Sequence, residues 1–124
     1  MPISLDWYLC TSLTPDYDYV DGDLIDRNVG EYAHASSMVE ISVYLRSRYP
    51  RSEFVTVNMQ RVQVSLTRVR VPDVCVARMQ KPMPPVFRTP PLIDIEIQSP
   101  CDRMTQMLQR IDGYLTFGIA DRPA

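Results

Sequence analysis

Proline placement most constrains what this chain can fold into. Eleven prolines stand among 124 residues. Pro50 closes one proline-free run, Pro72 interrupts another, five prolines crowd between 82 and 91, and Pro100 ends the stretch PPLIDIEIQSP. Proline has no N–H and clashes with a preceding helical turn, so each one marks an end, an edge or a bend. Long continuous elements are thereby excluded over most of the chain. The remainder reads as short strands with two helical runs, a single α/β domain spanning 1–124 around one compact core.

The segments between these breaks have recognisable periods. Ser4 can cap a short helix through Leu9, with Leu5, Tyr8 and Leu9 on one side. Tyr17 to Val20 and Asp23 to Arg27 flank Asp21-Gly22, a dipeptide suited to a two-residue hairpin turn with positive φ. From Gly30 to about Tyr49, Ala35, Met38, Ile41 and Leu45 recur as one helical face. Phe54, Val55 and Val57 form a strand, and Val62, Val64 and Leu66 alternate with Arg61, Gln63 and Ser65 as another. Arg68 to Ala77 follows as a strand interrupted by Pro72, and residues 82–91 form an irregular loop. Ile93, Ile95 and Ile97 then alternate with Asp94, Glu96 and Gln98. In the last helix Asp102 can cap, Met104, Met107, Leu108, Ile111 and Leu115 trace a buried stripe, and Gly118 can end it in the left-handed conformation.

Composition removes several function classes. No apolar run approaches the roughly 20 residues of a membrane span, and no basic-then-apolar leader opens the chain, so a cytoplasmic protein without membrane contact is expected. Cys10, Cys75 and Cys101 are widely spaced and lack CxxC pairing, which supports neither a disulfide framework nor a zinc cage. His34 is the only histidine, so no mechanism can draw on two from one chain. Net charge is -2, but seven acids precede residue 32 against Arg27 alone, whereas Arg46 to Arg88 holds eight arginines and Lys81 against Glu53 and Asp73. Such a basic block can pair with phosphates or simply solvate the polar faces of its elements.

Two acids sit in apolar strand settings, Asp73 in VRVPDVCV and Glu96 in LIDIEIQ. In a strand of period two, Glu96 and Gln98 share a face, and a neighbouring strand could bring Asp73 onto it. Two carboxylates meeting there would repel unless a cation lay between them, and Mg²⁺ with oxygen ligands is the natural solution. The plainer alternative leaves Asp73 satisfying a turn at the proline and Glu96 facing water.

The runs YDYVDGDL, VPDVCVA, IEIQSPCDRM and RIDGYLTFGI, with a helix bearing His34 after the first, resemble in order and spacing the Uma2 (DUF820) family of restriction-endonuclease-like proteins. The resemblance runs from about Leu5 to Ile119. It implies the PD-(D/E)xK nuclease fold, a mixed β-sheet flanked by α-helices. It also implies a Mg²⁺-dependent endonuclease acting on DNA, Mn²⁺ substituting, with Asp73, Glu96 and the Ile97 carbonyl as metal ligands. Asp18 stands where family members commonly have glutamate and would add a carboxylate to the metal. His34 matches a frequent family histidine that would touch the scissile phosphate; a surface histidine on the first helical turn is the other reading.

Two departures bear on activity. Gln98 stands where the superfamily motif has lysine; it can orient a water but carries no charge. Arg110, one turn before Tyr114, is the substitute, able to clamp phosphate but not to act as a base; it can equally pair with Asp102 or Asp112 in solvent. GIADRPA ends where family members continue with further strands, which reads as a C-terminally truncated fold whose open edge invites a second copy as a homodimer. A catalytically inactive nuclease-fold remnant, acting as a DNA-binding or subunit-interaction module, is the alternative function.

Overall fold

A buried proline crossing between two sheets organises the molecule. In the computed structural model, which describes residues 2–27, 32–97 and 104–119, the elements begin with helix α1 (Leu5–Leu9). Ser4 caps it, its hydroxyl accepting from the Trp7 amide at 3.1 Å. The hairpin β1 (Asp18–Val20) and β2 (Asp23–Ile25) turns through Asp21 and Gly22 at φ 51° and 99°, the doubly positive geometry that matches strand twist. Helix α2 (Tyr32–Arg48) stops before Pro50, and β3 (Phe54–Asn58), β4 (Val62–Ser65), β5 (Arg68–Arg70), β6 (Val74–Arg78), β7 (Ile93–Ile95) and helix α3 (Met104–Phe117) follow.

The strands pair in the orders β2-β1-β5-β4 and β3-β6-β7. The α/β architecture therefore holds, while the mixed sheet takes the form of two antiparallel sheets, with one isolated parallel bridge tying Phe87 of the irregular segment to Val62 at the β4 edge. The segment from Arg68 to Ala77 is two strands in different sheets, not one. Pro72 cannot donate to a ladder, and Val71, Pro72 and Asp73 carry the chain from β5 to β6 wholly out of solvent.

Strand β6 is covered on both sides. Val74 and Val76 pack with Leu45, Met38 and Ile41 of α2, whereas Cys75 and Ala77 pack with Val62, Val64 and Tyr114. That explains its unbroken apolar run, since neither face meets water. Between 79 and 92 the chain is irregular as expected, yet it places Phe87 in the core through hydrogen bonds to Arg61 and Gln63 backbone groups at 3.0 and 2.9 Å.

Helix α2 keeps most of its expected face, with His34 inward in place of Ala35, whereas α3 is rotated from its expected face. His34 and Leu45 are the buried residues of α2, Met38 and Ile41 are half-buried, and Ala35 is exposed. In α3, Met107, Arg110 and Tyr114 point inward, while Leu108, Ile111 and Leu115 are 56%, 41% and 41% exposed. The Met104 side chain lies outside the described residues. The reason is that polar groups are buried here: helical faces chosen by hydropathy alone miss an arginine and a histidine that pair with buried carboxylates.

The uneven charge distribution closes on itself. Asp16 pairs with Arg61 at 2.9 Å, Asp18 with Arg70 at 3.2 Å and Asp21 with Arg68 at 2.7 Å. Arg46 donates to the Thr56 carbonyl at 3.1 Å. Three arginines of the basic middle segment, Arg61, Arg68 and Arg70, are thus bound to the acidic N-terminal segment. Among the described residues no helix is long and apolar enough to cross a membrane.

Candidate active site

The hairpin register brings the first two site residues together. Asp18 pairs with Ile25 across β1 and β2, so Arg27, two residues on, returns to the same face. Arg27 Nη1 donates to Asp18 Oδ1 at 3.0 Å. Asp18 is fully buried and collects further donors: the Val71 amide at 2.9 Å, Arg70 Nη1 at 3.2 Å, and Arg110 Nε in a longer ion pair at 3.5 Å.

The crossing between sheets supplies the second carboxylate. Asp73 is 1% exposed, and its backbone carbonyl accepts from the Asn58 side-chain amide and the Met59 amide. Its Oδ1 accepts from Arg27 Nη2 at 3.0 Å and lies 3.2 Å from His34 Nε2, while Oδ2 accepts from the Ile97 amide at 2.7 Å. Glu96, just past β7, supplies the third. Its Oε2 accepts from the same Arg27 Nη2 at 3.2 Å, and its Oε1 accepts from Tyr114 Oη at 2.6 Å. The glutamate does not face water, its side chain being 5% exposed, and the Asp73 carboxylate bonds Arg27 and the Ile97 amide, both far from the proline in sequence.

These surroundings set the electrostatics. Burial raises the Glu96 carboxyl to about 7, against the pull of Arg27 and the Tyr114 hydrogen bond. Burial and the adjacent Glu96 also push the Tyr114 hydroxyl well above its ordinary value. Burial disfavours the Arg27 charge, but Glu96, Asp18 and Asp73 outweigh it and hold the guanidinium above its usual range. Asp94, two residues before Glu96, lies opposite Cys75 and outside the cluster. A cavity of about 430 Å³ lined by Leu13, Pro15, His34, Met38 and Met59 adjoins the cluster at His34.

The fold is similar to that of a DUF820 protein. The chain matches the crystal structure of one from Anabaena variabilis ATCC 29413, to which a nuclease role is ascribed, with a TM-score of 0.81 and 23% identity over 95% of this chain and 70% of that one. No family model and no curated protein matches the sequence.

Within this DUF820-like fold, Asp18, Asp73, Glu96, His34 and Arg110 all converge, and Gln98 lies outside the described residues. Lys81 is exposed on the proline-rich loop, and Arg110 reaches inward to Asp18 instead of pairing with Asp112. Three participants escaped the sequence reading: Arg27, Arg70 and the Tyr114 hydroxyl. For Arg27 a signal existed, because the hairpin alternation already puts it on the face of Asp18.

The three carboxylates are hard oxygen donors of the kind Mg²⁺ takes, and Asp73 and Glu96 share one nitrogen at 3.0 and 3.2 Å. The donor set therefore suits the ion in kind, but the position between the carboxylates belongs to Arg27. Among the described residues no three His, Cys, Asp or Glu side chains form a ready metal cage.

Proposed function

We propose that the chain is a nuclease-type protein that hydrolyses phosphodiester bonds in DNA, with Asp73, Glu96 and the Ile97 carbonyl as ligands for Mg²⁺ or Mn²⁺ and Asp18 as a further carboxylate. The observation that carries this reading is the convergence of Asp18, Asp73 and Glu96, from three separate segments, on a single cation position. The likeness to a DUF820 structure supports it. Bound there, the metal would supply Lewis acidity to the phosphate and a more acidic water.

The chain's own residues have separable parts. Tyr114 orients Glu96 through its hydroxyl, and burial raises that carboxyl to about 7, so its charged form depends on a cation beside it. The Ile97 amide and His34 fix Asp73 from opposite oxygens, and His34 reaches the wall of the adjoining cavity, from which a phosphate could approach. Arg70 and Arg110 hold Asp18 and add positive potential for an anionic substrate; an arginine remains protonated and serves no base role. Supercoiled plasmid incubated with millimolar Mg²⁺ should be nicked, and Asp73→Asn should abolish nicking while the fold persists.

A second reading rests on Arg27. Because its guanidinium already neutralises the carboxylates, the chain would bind DNA or another subunit without cutting. Plasmid retardation without nicking, insensitive to Mg²⁺, would favour it.

A further inference from the structure

We infer that Arg27 is the resident cation of this site and competes with a divalent ion for it. This deepens the nuclease reading and rests on it for the choice of ion. The two terminal nitrogens of one guanidinium contact all three carboxylates: Nη1 meets Asp18 at 3.0 Å, and Nη2 meets Asp73 at 3.0 Å and Glu96 at 3.2 Å. Among the described residues no other basic group bridges them. Arg70 and Arg110 contact Asp18, and His34 contacts Asp73.

Burial makes such a cation necessary. The Arg27 side chain is 4% exposed and those of the carboxylates are 0%, 1% and 5% exposed. Carboxylates removed from water repel one another and lose hydration unless a positive group lies among them. Without a metal, Arg27 meets that need.

Charge balance makes it a competitor. Among the described residues, Asp18, Asp73 and Glu96 stand against Arg27, Arg70 and Arg110, with His34 at the edge. A divalent ion added to this set with Arg27 in place would leave excess positive charge in a poorly solvated interior. Entry of the ion therefore requires the guanidinium to withdraw, so affinity is lowered by the cost of breaking three hydrogen-bonded contacts.

The test is calorimetric titration of Mn²⁺ into the whole chain and into Arg27→Met, Arg27→Lys and Asp73→Asn variants, with far-UV circular dichroism to confirm folding. The parent should saturate only in the millimolar range. Arg27→Met should bind Mn²⁺ at least about tenfold more tightly, and adding Asp73→Asn should remove the gain. If Arg27→Met folds only when Mn²⁺ is present, that rescue supports the inference in the same way. If it folds under neither condition, Arg27→Lys decides: an ammonium cannot bridge three carboxylates as the fork does, so tighter Mn²⁺ binding is expected, and binding no tighter than the parent's overturns the inference. Micromolar Mn²⁺ binding by the parent, lost in Asp73→Asn, also overturns it. A variant that gains Mn²⁺ but leaves DNA intact would uphold the resident cation and sink the nuclease reading; a parent that cuts DNA while no variant gains affinity would do the reverse.

Discussion

Arg27 and Asp73 are 46 positions apart in the chain, and their side chains meet at 3.0 Å, Nη2 to Oδ1, with 4% and 1% of each exposed. The contact joins the hairpin to the crossing between sheets. Groups so buried and so close are energetically coupled. In a double-mutant cycle with Arg27→Gln and Asp73→Asn, the coupling measured by urea unfolding should be about 1–3 kcal/mol. Simple additivity would show that the pair is not a unit.

Asp18 carries more of the network than its position in a three-residue strand suggests. It accepts from Arg27, Arg70 and the Val71 amide, with Arg110 at 3.5 Å. Asp18→Ala would leave several buried donors uncompensated, at a cost of about 3–5 kcal/mol. Chemical denaturation would read that loss directly; a change within experimental scatter would mean the arginines find other partners.

The contrast between hairpin and helices shows what a sequence discloses. Asp21-Gly22, the Ser4 cap and the Gly118 stop are local devices, each determined by a few neighbouring atoms, and all three stand in the structure. Asp18, Asp73, Glu96, His34 and Arg110 were named from acids in apolar settings and from the family resemblance, and they do meet. The inward face of α3 was misread because Arg110 is buried by a charge 92 positions earlier in the chain, Asp18. Hydropathy periodicity holds no information about such a partner. Pro72 posed the opposite problem: its break was visible, but the change of sheet depends on which strands pair, a long-range matter.

Asp94 offers a pH-dependent prediction. Among the described residues neither of its carboxylate oxygens has a hydrogen-bond partner of good geometry, and burial raises its pKa from 3.8 to about 6, with the neighbouring Cys75 thiol opposing. The folded chain thus holds this proton more tightly than the unfolded one. The associated stability is present below about pH 4 and is lost as pH rises through about 6. Asp94→Asn should therefore be more stable than the parent by about 1–3 kcal/mol at pH 8 and should match it near pH 4. Thermal unfolding at both pH values checks this, and an unchanged difference between them would refute the assignment.

Gly22 tests the turn that sets the hairpin register. Its φ is 99°, and an added Cβ would approach Pro2 Cβ to 2.7 Å. Gly22→Ala combines backbone strain with a steric collision and should destabilise by about 1–3 kcal/mol. Gly113 has no contact closer than 3.7 Å and an ordinary helical setting; Gly113→Ala should be neutral or stabilising, which makes it the control for the same melting experiment.

The most direct measurement of the central claim is single-turnover cleavage of duplex DNA at millimolar Mg²⁺ by the parent, Asp73→Asn and a surface control, Arg51→Ala. Arg51 is exposed and lies outside the cluster. The parent and Arg51→Ala should cut at similar rates, and Asp73→Asn should be slower by about 10²-fold or more. Cleavage unaffected by Asp73→Asn, or no cleavage by the folded parent with either Mg²⁺ or Mn²⁺, would contradict the hydrolytic site built on Asp18, Asp73 and Glu96.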